Sequence, residues 1–158
     1  MPVGTSEQIN AYEEVPARLV AALEDLNEGQ MHFVPAIGEW SIHEIVIHLA
    51  DSEVIGHMRI RKTIAEPGST LPIYDEEAWA GKLSYRLQDQ RLAIELFRAL
   101  RASTAALLRA LPEETWQRLS LHPERGEMSF YDVFVLYLEH GEIHLQQIER
   151  IKQVLASR

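Results

Sequence analysis

The sequence predicts an all-α fold, a four-helix bundle, from three observations. Four long stretches carry apolar residues at spacings of three and four, which is the period of an amphipathic helix. Proline and glycine separate these stretches, and no segment shows the alternation typical of a half-buried strand. Four such helices in 158 residues fit one domain of ordinary size. We therefore expect a single four-helix-bundle domain over residues 1–158.

The first predicted helix covers residues 5–26, where apolar side chains including Ile9, Tyr12 and Leu19 form one stripe. Pro16 lies inside this stretch. Because proline lacks an N–H and its ring collides with the preceding turn, we expect a kink or a break in the helix here.

The second and fourth helices have the clearest starts. Ser41 and Glu44 have the spacing of a capping box, in which each side chain bonds the backbone N–H of the other residue, so the second helix is predicted over residues 42–66. A Pro-Gly pair ends it. Ser129, followed by an acidic first turn, predicts the start of the fourth helix, which covers residues 130–155.

A long connection, residues 67–82, follows the second helix and is rich in proline and glycine. Its roughly fifteen residues exceed the usual 2–8 between bundle neighbours, so helices two and three are free to run parallel. The third helix is predicted over residues 84–110, with a short helical turn at residues 112–116 and a loop at residues 120–128.

Composition excludes several classes of function. The chain has no cysteine, which removes disulfides, thiolate metal ligands and a cysteine nucleophile together. Fifteen Lys and Arg against twenty-four Asp and Glu give a formal charge of −9, which disfavours nucleic-acid binding. No apolar run reaches the length of a membrane span, and no signal peptide is visible, so we expect a cytoplasmic protein with no membrane partner.

A pair of histidines on the fourth helix suggests a metal site. His140 and His144 are four residues apart, so both imidazoles lie on one face of the helix, one turn apart. Two imidazoles at this spacing can hold one divalent ion together with a third ligand, and catalytic sites usually stop at three protein ligands. The alternative is a pair of polar residues on a partly solvated stripe.

His48 is the best third ligand, because it shares the core-facing stripe of the second helix with Ile45 and Leu49. The alternative is a core histidine satisfied by hydrogen bonds. Three neutral imidazoles suit a transition metal such as Zn, Ni, Cu or Fe better than Mg or Ca. Such an ion lowers the pKa of a bound water, polarises a substrate atom or activates a small-molecule thiol.

Three further residues are candidates for the chemistry. Asp51, one turn after His48, is a candidate catalytic base or hydrogen-bond acceptor near the metal, or else an exposed helix residue. Tyr137 either lines the pocket through its hydroxyl or fills the core. Arg59 either anchors a substrate carboxylate or is a solvated surface arginine. Gly141 costs helix stability, which indicates the close approach of another group.

Five short motifs follow one another along the chain. They are Gly38-Glu39-Trp40-Ser41, His48-Leu49-Ala50-Asp51-Ser52, Tyr74-Asp75-Glu76 with Trp79-Ala80, His122-Pro123-Glu124, and His140-x-x-x-His144. In this order they resemble the motifs of the DinB/YfiT-like metalloenzymes, more closely those of the YfiT branch. The resemblance covers about residues 10–150, and Glu53 stands where we expect a more basic or aromatic residue.

The resemblance implies a four-helix bundle, a homodimer, and a nickel or zinc ion held by His48, His140 and His144. It also implies a metal-dependent S-transferase acting with a thiol such as bacillithiol or mycothiol, a thiol-dependent isomerase, or a hydrolase using metal-bound water. A different class also stays open: a non-catalytic, stress-associated metal-binding bundle. That class predicts a closed fourth position, filled by Asp51 or Glu142, whereas an enzyme predicts a pocket beside the metal.

Overall fold

The computed structural model describes all residues 1–158 and confirms the all-α four-helix bundle. Four long helices form the bundle, and two short helices, two 3₁₀ turns and one β-hairpin connect them. The α-helices are α1 (Ser6–Leu23), α2 (Glu28–Met31), α3 (Ile42–Ala65), α4 (Glu76–Lys82), α5 (Gln90–Arg109) and α6 (Phe130–Ala156). The 3₁₀ turns are Tyr85–Leu87 and Glu113–Gln117, and the strands are β1 (Leu119–His122) and β2 (Gly126–Ser129).

Helices α3 and α6 begin where their caps predict. The Ser41 side chain accepts from the Glu44 N–H, and the Glu44 side chain accepts from the Ser41 N–H, which completes the predicted capping box. Ser129 and Asp132 form the same arrangement at the start of α6. These caps satisfy backbone donors that have no partner within the helix.

Helix α1 does not break at Pro16, because it continues as one helix from Ser6 to Leu23. Of the two expected outcomes, a kink or a break, the break is therefore excluded. Pro16 is buried and has no N–H to donate to the Tyr12 carbonyl one turn earlier. That carbonyl accepts a hydrogen bond from another helix instead.

Helix α5 begins at Gln90, six residues later than predicted. Tyr85–Leu87 form a separate 3₁₀ turn, and Gln88 after them has an extended backbone with a ψ of 151°. The Asp89 side chain then caps α5 by accepting from the Arg91 N–H. The predicted connection also contains the short helix α4, which Asp75 caps.

The loop predicted at residues 120–128 is instead a β-hairpin. Strands β1 and β2 pair antiparallel, and Gly126, with a φ of 82°, supplies the left-handed turn residue. The segment after α3 adds to the edge of this hairpin, since the Leu71 N–H donates to the Leu121 carbonyl at 2.8 Å. Strands of four residues are too short for a reliable period, so pairing with the neighbouring segment decides their structure.

The arrangement of the four long helices follows from their contacts and from two apolar clusters. Each of α1 and α3 packs against both α5 and α6, so α1 and α3 lie at opposite corners. One cluster contains residues from the first halves of α3 and α5 and from the second halves of α1 and α6. The other cluster contains residues from the second halves of α3 and α5 and from the first halves of α1 and α6. Helices α3 and α5 therefore run in the same direction, as the long connection allows.

A polar layer separates the two apolar clusters at the middle of the bundle. The buried polar side chains between the clusters are those of Ser52 and Glu53 on α3 and of Arg101 and Thr104 on α5. At the same level lie the histidines of α3 and α6, which are His48, His140 and His144. None of the helices is both long and apolar enough to cross a bilayer. The candidate site therefore lies at mid-height in the bundle. From this packing we propose that residues 1–158 form one domain.

Candidate metal centre

Three histidines from two helices converge in this polar layer. Helix α6 presents His140 and His144 one turn apart, and the neighbouring helix α3 presents His48. The Nε2 atom of His140 lies 3.1 Å from the Nε2 atoms of both His48 and His144. One nitrogen from each ring lies within 4.8 Å of the other two. The structure thus brings together the three residues that the sequence singles out.

Hydrogen bonding and packing orient two of the rings. The Nδ1 atom of His144 lies 2.8 Å from Oε1 of Gln147, so the imidazole donates from Nδ1 and its Nε2 lone pair faces the cluster. The ring of Trp40 packs against that of His48, with centroids 4.7 Å apart. The Nδ1 atom of His48 is buried and has no hydrogen-bond partner.

Burial keeps all three imidazoles neutral at physiological pH. It lowers the pKa of His48 to about 3 and that of His140 to about 2. The other histidines of the cluster add to the effect, since one ring is harder to protonate when another already carries a charge, and the cations Arg101 and Arg59 add to it at His140. The pKa of His144 is also lowered by burial, and its hydrogen bond to Gln147 acts in the opposite direction. Neutral imidazoles are the form that binds metals.

This geometry fits a divalent transition metal ion. Three neutral nitrogens turned towards one point have too few protons to bond to one another, so an ion is the natural partner for their lone pairs. Two nitrogens of a tetrahedral zinc shell are about 3.3 Å apart for Zn–N bonds of about 2.05 Å, which is close to the 3.1 Å that separates Nε2 of His140 from each of the other two Nε2 atoms. No carboxylate belongs to the cluster.

A cavity of about 250 Å³ lies beside His140. A larger surface cleft of about 870 Å³, bordered by Trp40 and Tyr85, has none of the three histidines in its wall. The smaller cavity is therefore the one that serves the candidate centre. Its polar and charged wall includes Arg59, Tyr74, Glu76, His122, Tyr137 and His140.

Two of the predicted site residues, Arg59 and Tyr137, meet in the wall of this cavity. The Nη1 atom of Arg59 donates to the Tyr137 hydroxyl at 3.1 Å, and its Nε atom donates to the Pro72 carbonyl at 2.9 Å. Gly56 allows the Tyr137 ring to lie against α3, because a Cβ at this position would overlap the ring. Arg59 is thus a buried cavity residue rather than a solvated one.

Comparison with known proteins identifies the family. The family model described as the DinB superfamily matches residues 11–148. The chain belongs to the DinB superfamily. It is 32% identical over 143 residues to a protein of Oceanobacillus iheyensis, covering 90% of this chain and 83% of that protein. It is 29% identical over 146 residues to YfiT of Bacillus subtilis, covering 92% and 82%. Both carry the name "putative metal-dependent hydrolase".

Solved structures agree with this DinB-superfamily assignment. Bacillus subtilis YfiT, described as "a probable metal-dependent hydrolase with an unusual four-helix bundle topology", matches with a TM-score of 0.90 at 26% identity over 99% of this chain and 92% of that one. A mycothiol-dependent maleylpyruvate isomerase matches with a TM-score of 0.71 at 13% identity over 94% of this chain and 63% of that one, which shows a shared fold.

The third predicted functional residue, Asp51, lies apart from the cavity wall of this DinB-superfamily protein. Its carboxylate accepts from the Tyr85 hydroxyl at 2.7 Å. Glu142 forms an ion pair with Arg18 at 2.8 Å on the bundle surface. Neither carboxylate belongs to the histidine cluster, so the closed fourth position that a purely structural site requires is not seen.

Three residues of the site were not predicted from the sequence. Gln147 is three residues after His144, a spacing that places both on one helix face and was available as a signal. Glu76, from the connection between α3 and α5, and His122, from the β-hairpin, also line the cavity. The only signal for them in the sequence is that each belongs to a motif of the family resemblance. The Nδ1 atom of His122 accepts from the N–H groups of Glu124 and Arg125, which fixes the ring in the wall.

Proposed function

We propose that His48, His140 and His144 bind one divalent transition metal ion, nickel or zinc, and that the protein is a metal-dependent enzyme. We further propose that it activates a low-molecular-weight thiol for transfer to an electrophile, in the manner of an S-transferase. The observation that supports this most is the convergence of three neutral imidazoles, one of which, that of His140, lines a cavity.

The chemistry divides between the ion and the chain. A divalent ion bound by neutral ligands retains its full charge, so it lowers the pKa of a thiol or a water that it binds. Burial in the bundle limits competing water, and Arg59 and Tyr137 offer a fixed cation and a hydroxyl to a bound molecule. Asp51 stays a candidate base, and its bond to Tyr85 predicts that Tyr85→Phe changes activity in the same direction as Asp51→Asn.

An enzyme fits the geometry better than a purely structural metal site. A structural site closes its coordination shell with protein ligands, commonly four. Here only three side chains converge, the two predicted carboxylates, Asp51 and Glu142, bond to other residues, and a cavity lies beside His140. This incomplete set of ligands supports a role in which a small molecule completes the site.

Hydrolysis is the alternative reaction, supported by the names of the relatives. Thiol transfer is supported by the resemblance described above and by the mycothiol-dependent isomerase of the same fold. Both reactions need the same three imidazoles, and they differ in whether a thiol or a water attacks the substrate.

Metal content tests the site first. We expect the wild-type protein, after loading with Ni²⁺ or Zn²⁺ and desalting, to hold about one ion per chain by mass spectrometry. His140→Ala should lose this ion, whereas His57→Ala, a control on α3 outside the cluster, should retain it. A wild-type protein that holds no metal after loading with either ion would contradict the proposal.

A substrate screen then separates the reactions. The loaded protein is given an electrophile with and without a small thiol, and separately a panel of esters and amides. Turnover that requires both thiol and metal supports transfer, turnover of an ester without thiol supports hydrolysis, and a metal-loaded protein with neither activity supports the non-catalytic bundle. The predicted homodimer is checked separately by analytical ultracentrifugation.

A further inference from the structure

Arg59 is a buried cation without an anionic partner. Its residue is 8% exposed, yet no carboxylate oxygen lies within ion-pair distance of its guanidinium. The contrast with Arg101, which is also buried, is informative, since Arg101 forms an ion pair with the buried Glu53 at 3.0 Å. Burying an unpaired charge is costly, so the exception at Arg59 requires a reason.

The hydrogen bonds of Arg59 hold the guanidinium but leave part of it free. Its Nε and Nη1 atoms each donate to a neutral oxygen, one on Pro72 and one on Tyr137. A guanidinium has five N–H donors, so three of them, including both on Nη2, have no protein acceptor. Because Arg59 lines the cavity, a molecule in the cavity can accept from these donors.

The charges around the cavity favour a singly charged anion. Glu76 and Glu124 line the same cavity but are exposed, and neither pairs with Arg59. Arg125 is an exposed cation in the same wall. With two carboxylates already in the wall, a doubly charged phosphate meets more repulsion than a single carboxylate does.

We propose that the cavity beside the three histidines binds a small molecule through a carboxylate group held by Arg59. The carboxylate site itself does not depend on the proposed function; only the interpretation of the bound molecule as a substrate rests on it. A carboxylate matches the planar edge of a guanidinium with two parallel hydrogen bonds. The cavity of about 250 Å³ has the volume of about eight waters in the liquid, so it suits a compact carboxylic acid.

Side-chain NMR of the metal-free protein tests the proposal directly. The Nε–H signal of Arg59, assigned from its absence in Arg59→Gln, is followed during titration with propionate, propionamide or inorganic phosphate at constant ionic strength. We expect a saturable shift with propionate, none with propionamide and a weaker effect with phosphate. Arg59→Gln should weaken propionate binding about tenfold or more, as measured on the backbone signals around the cavity.

Arg61→Gln is the matched control. Arg61 lies on the same helix, but its guanidinium donates to Ser103 and Thr104 rather than lining the cavity. Its substitution should leave the propionate affinity within about twofold of the wild-type value. Unchanged zinc affinity in Arg59→Gln shows that this variant is folded around the histidines. Arg59→Lys keeps the positive charge but cannot form two parallel hydrogen bonds, so it should bind propionate with intermediate affinity.

The outcomes separate the two proposals. If zinc binds but propionate shifts Arg59 no more than propionamide does, the carboxylate site is wrong and the metal site stands. Tighter binding of phosphate than of propionate also overturns the carboxylate assignment. If propionate binds through Arg59 but zinc does not bind, the metal-dependent function is wrong and the carboxylate site stands.

Discussion

The guanidinium of Arg101 on α5 donates from Nη1 to the carbonyl of Tyr12 on α1, at a distance of 2.9 Å. Pro16, four residues after Tyr12, has no N–H, so this carbonyl has no donor from its own helix. A side chain from another helix thus provides the bond that proline removes. This contact accounts for a helix that continues through a proline at a buried position.

Arg101→Met should destabilise the protein by about 3–5 kcal/mol, because it leaves Glu53 as a buried charge without its cation. The loss is measured by urea unfolding. Arg109→Met on the same helix is the control, and it should cost less than about 1 kcal/mol because its ion pair with Glu13 is partly exposed. In a double-mutant cycle, the loss of unfolding free energy caused by Arg101→Met should be smaller when Glu53 is already replaced by Gln. Strictly additive losses would argue against the pairing of Glu53 with Arg101.

Gln147→Ala should weaken metal binding by about 10–100-fold, because the His144 ring loses the acceptor that orients it. Isothermal titration with zinc measures the change. Gln146→Ala is the control, since this neighbouring glutamine is exposed and makes no side-chain hydrogen bond. Equal zinc affinity in both variants would show that Gln147 does not support the site.

Gly56→Ala should destabilise the protein by about 1–3 kcal/mol, because its new Cβ overlaps the Tyr137 ring. Gly81→Ala on α4 meets no atom within 4 Å and should instead be neutral or stabilising by up to about 1 kcal/mol. Thermal and urea unfolding distinguish these opposite signs. Displacement of Tyr137 should also change the Nε–H signal of Arg59, because the Tyr137 hydroxyl accepts from Nη1 of the same guanidinium.

The metal-free protein should lose stability as the pH falls below about 6.5. The pKa of His48 and that of His140 are lowered in the folded state. At a pH between the folded-state and unfolded-state pKa values, the unfolded chain therefore binds more protons than the folded chain. Lowering the pH in this range stabilises the unfolded chain relative to the folded one. Each imidazole contributes up to about 1.4 kcal/mol per pH unit in this window.

Urea unfolding in the presence of a chelator, at several pH values, measures this slope. His48→Gln should reduce it, because one protonation site is removed from the unfolded chain. His32→Gln, at an exposed position, should leave the slope nearly unchanged. An equal slope in wild type and His48→Gln would contradict the assignment of the effect to the cluster.

Local signals predicted the starts of two long helices well. The capping boxes at Ser41 and Ser129 involve side chains and backbone within three residues, so the starts of α3 and α6 are visible in the sequence. The convergence of His48 with His140 and His144 was also predictable, because helical period places each on a core-facing stripe.

Features that depend on distant residues were not predictable in the same way. Glu53 and Arg101 are 48 positions apart, and neither residue type signals by itself that it is buried in a pair. The hairpin needs the segment after α3 along its edge, which no local pattern shows. The start of α5 was missed because apolar residues continue upstream into Tyr85–Leu87, a 3₁₀ turn that the extended backbone of Gln88 separates from α5.

The distribution of the three histidines over the chain has a consequence for biosynthesis. His48 is made 92 residues before His140, and the other two ligands both belong to the last helix. While the ribosome is still adding α6, the nascent bundle has one imidazole in its core and cannot hold an ion in the proposed way. Metal capture therefore has to follow the docking of α6, which makes the metal a reporter of completed folding.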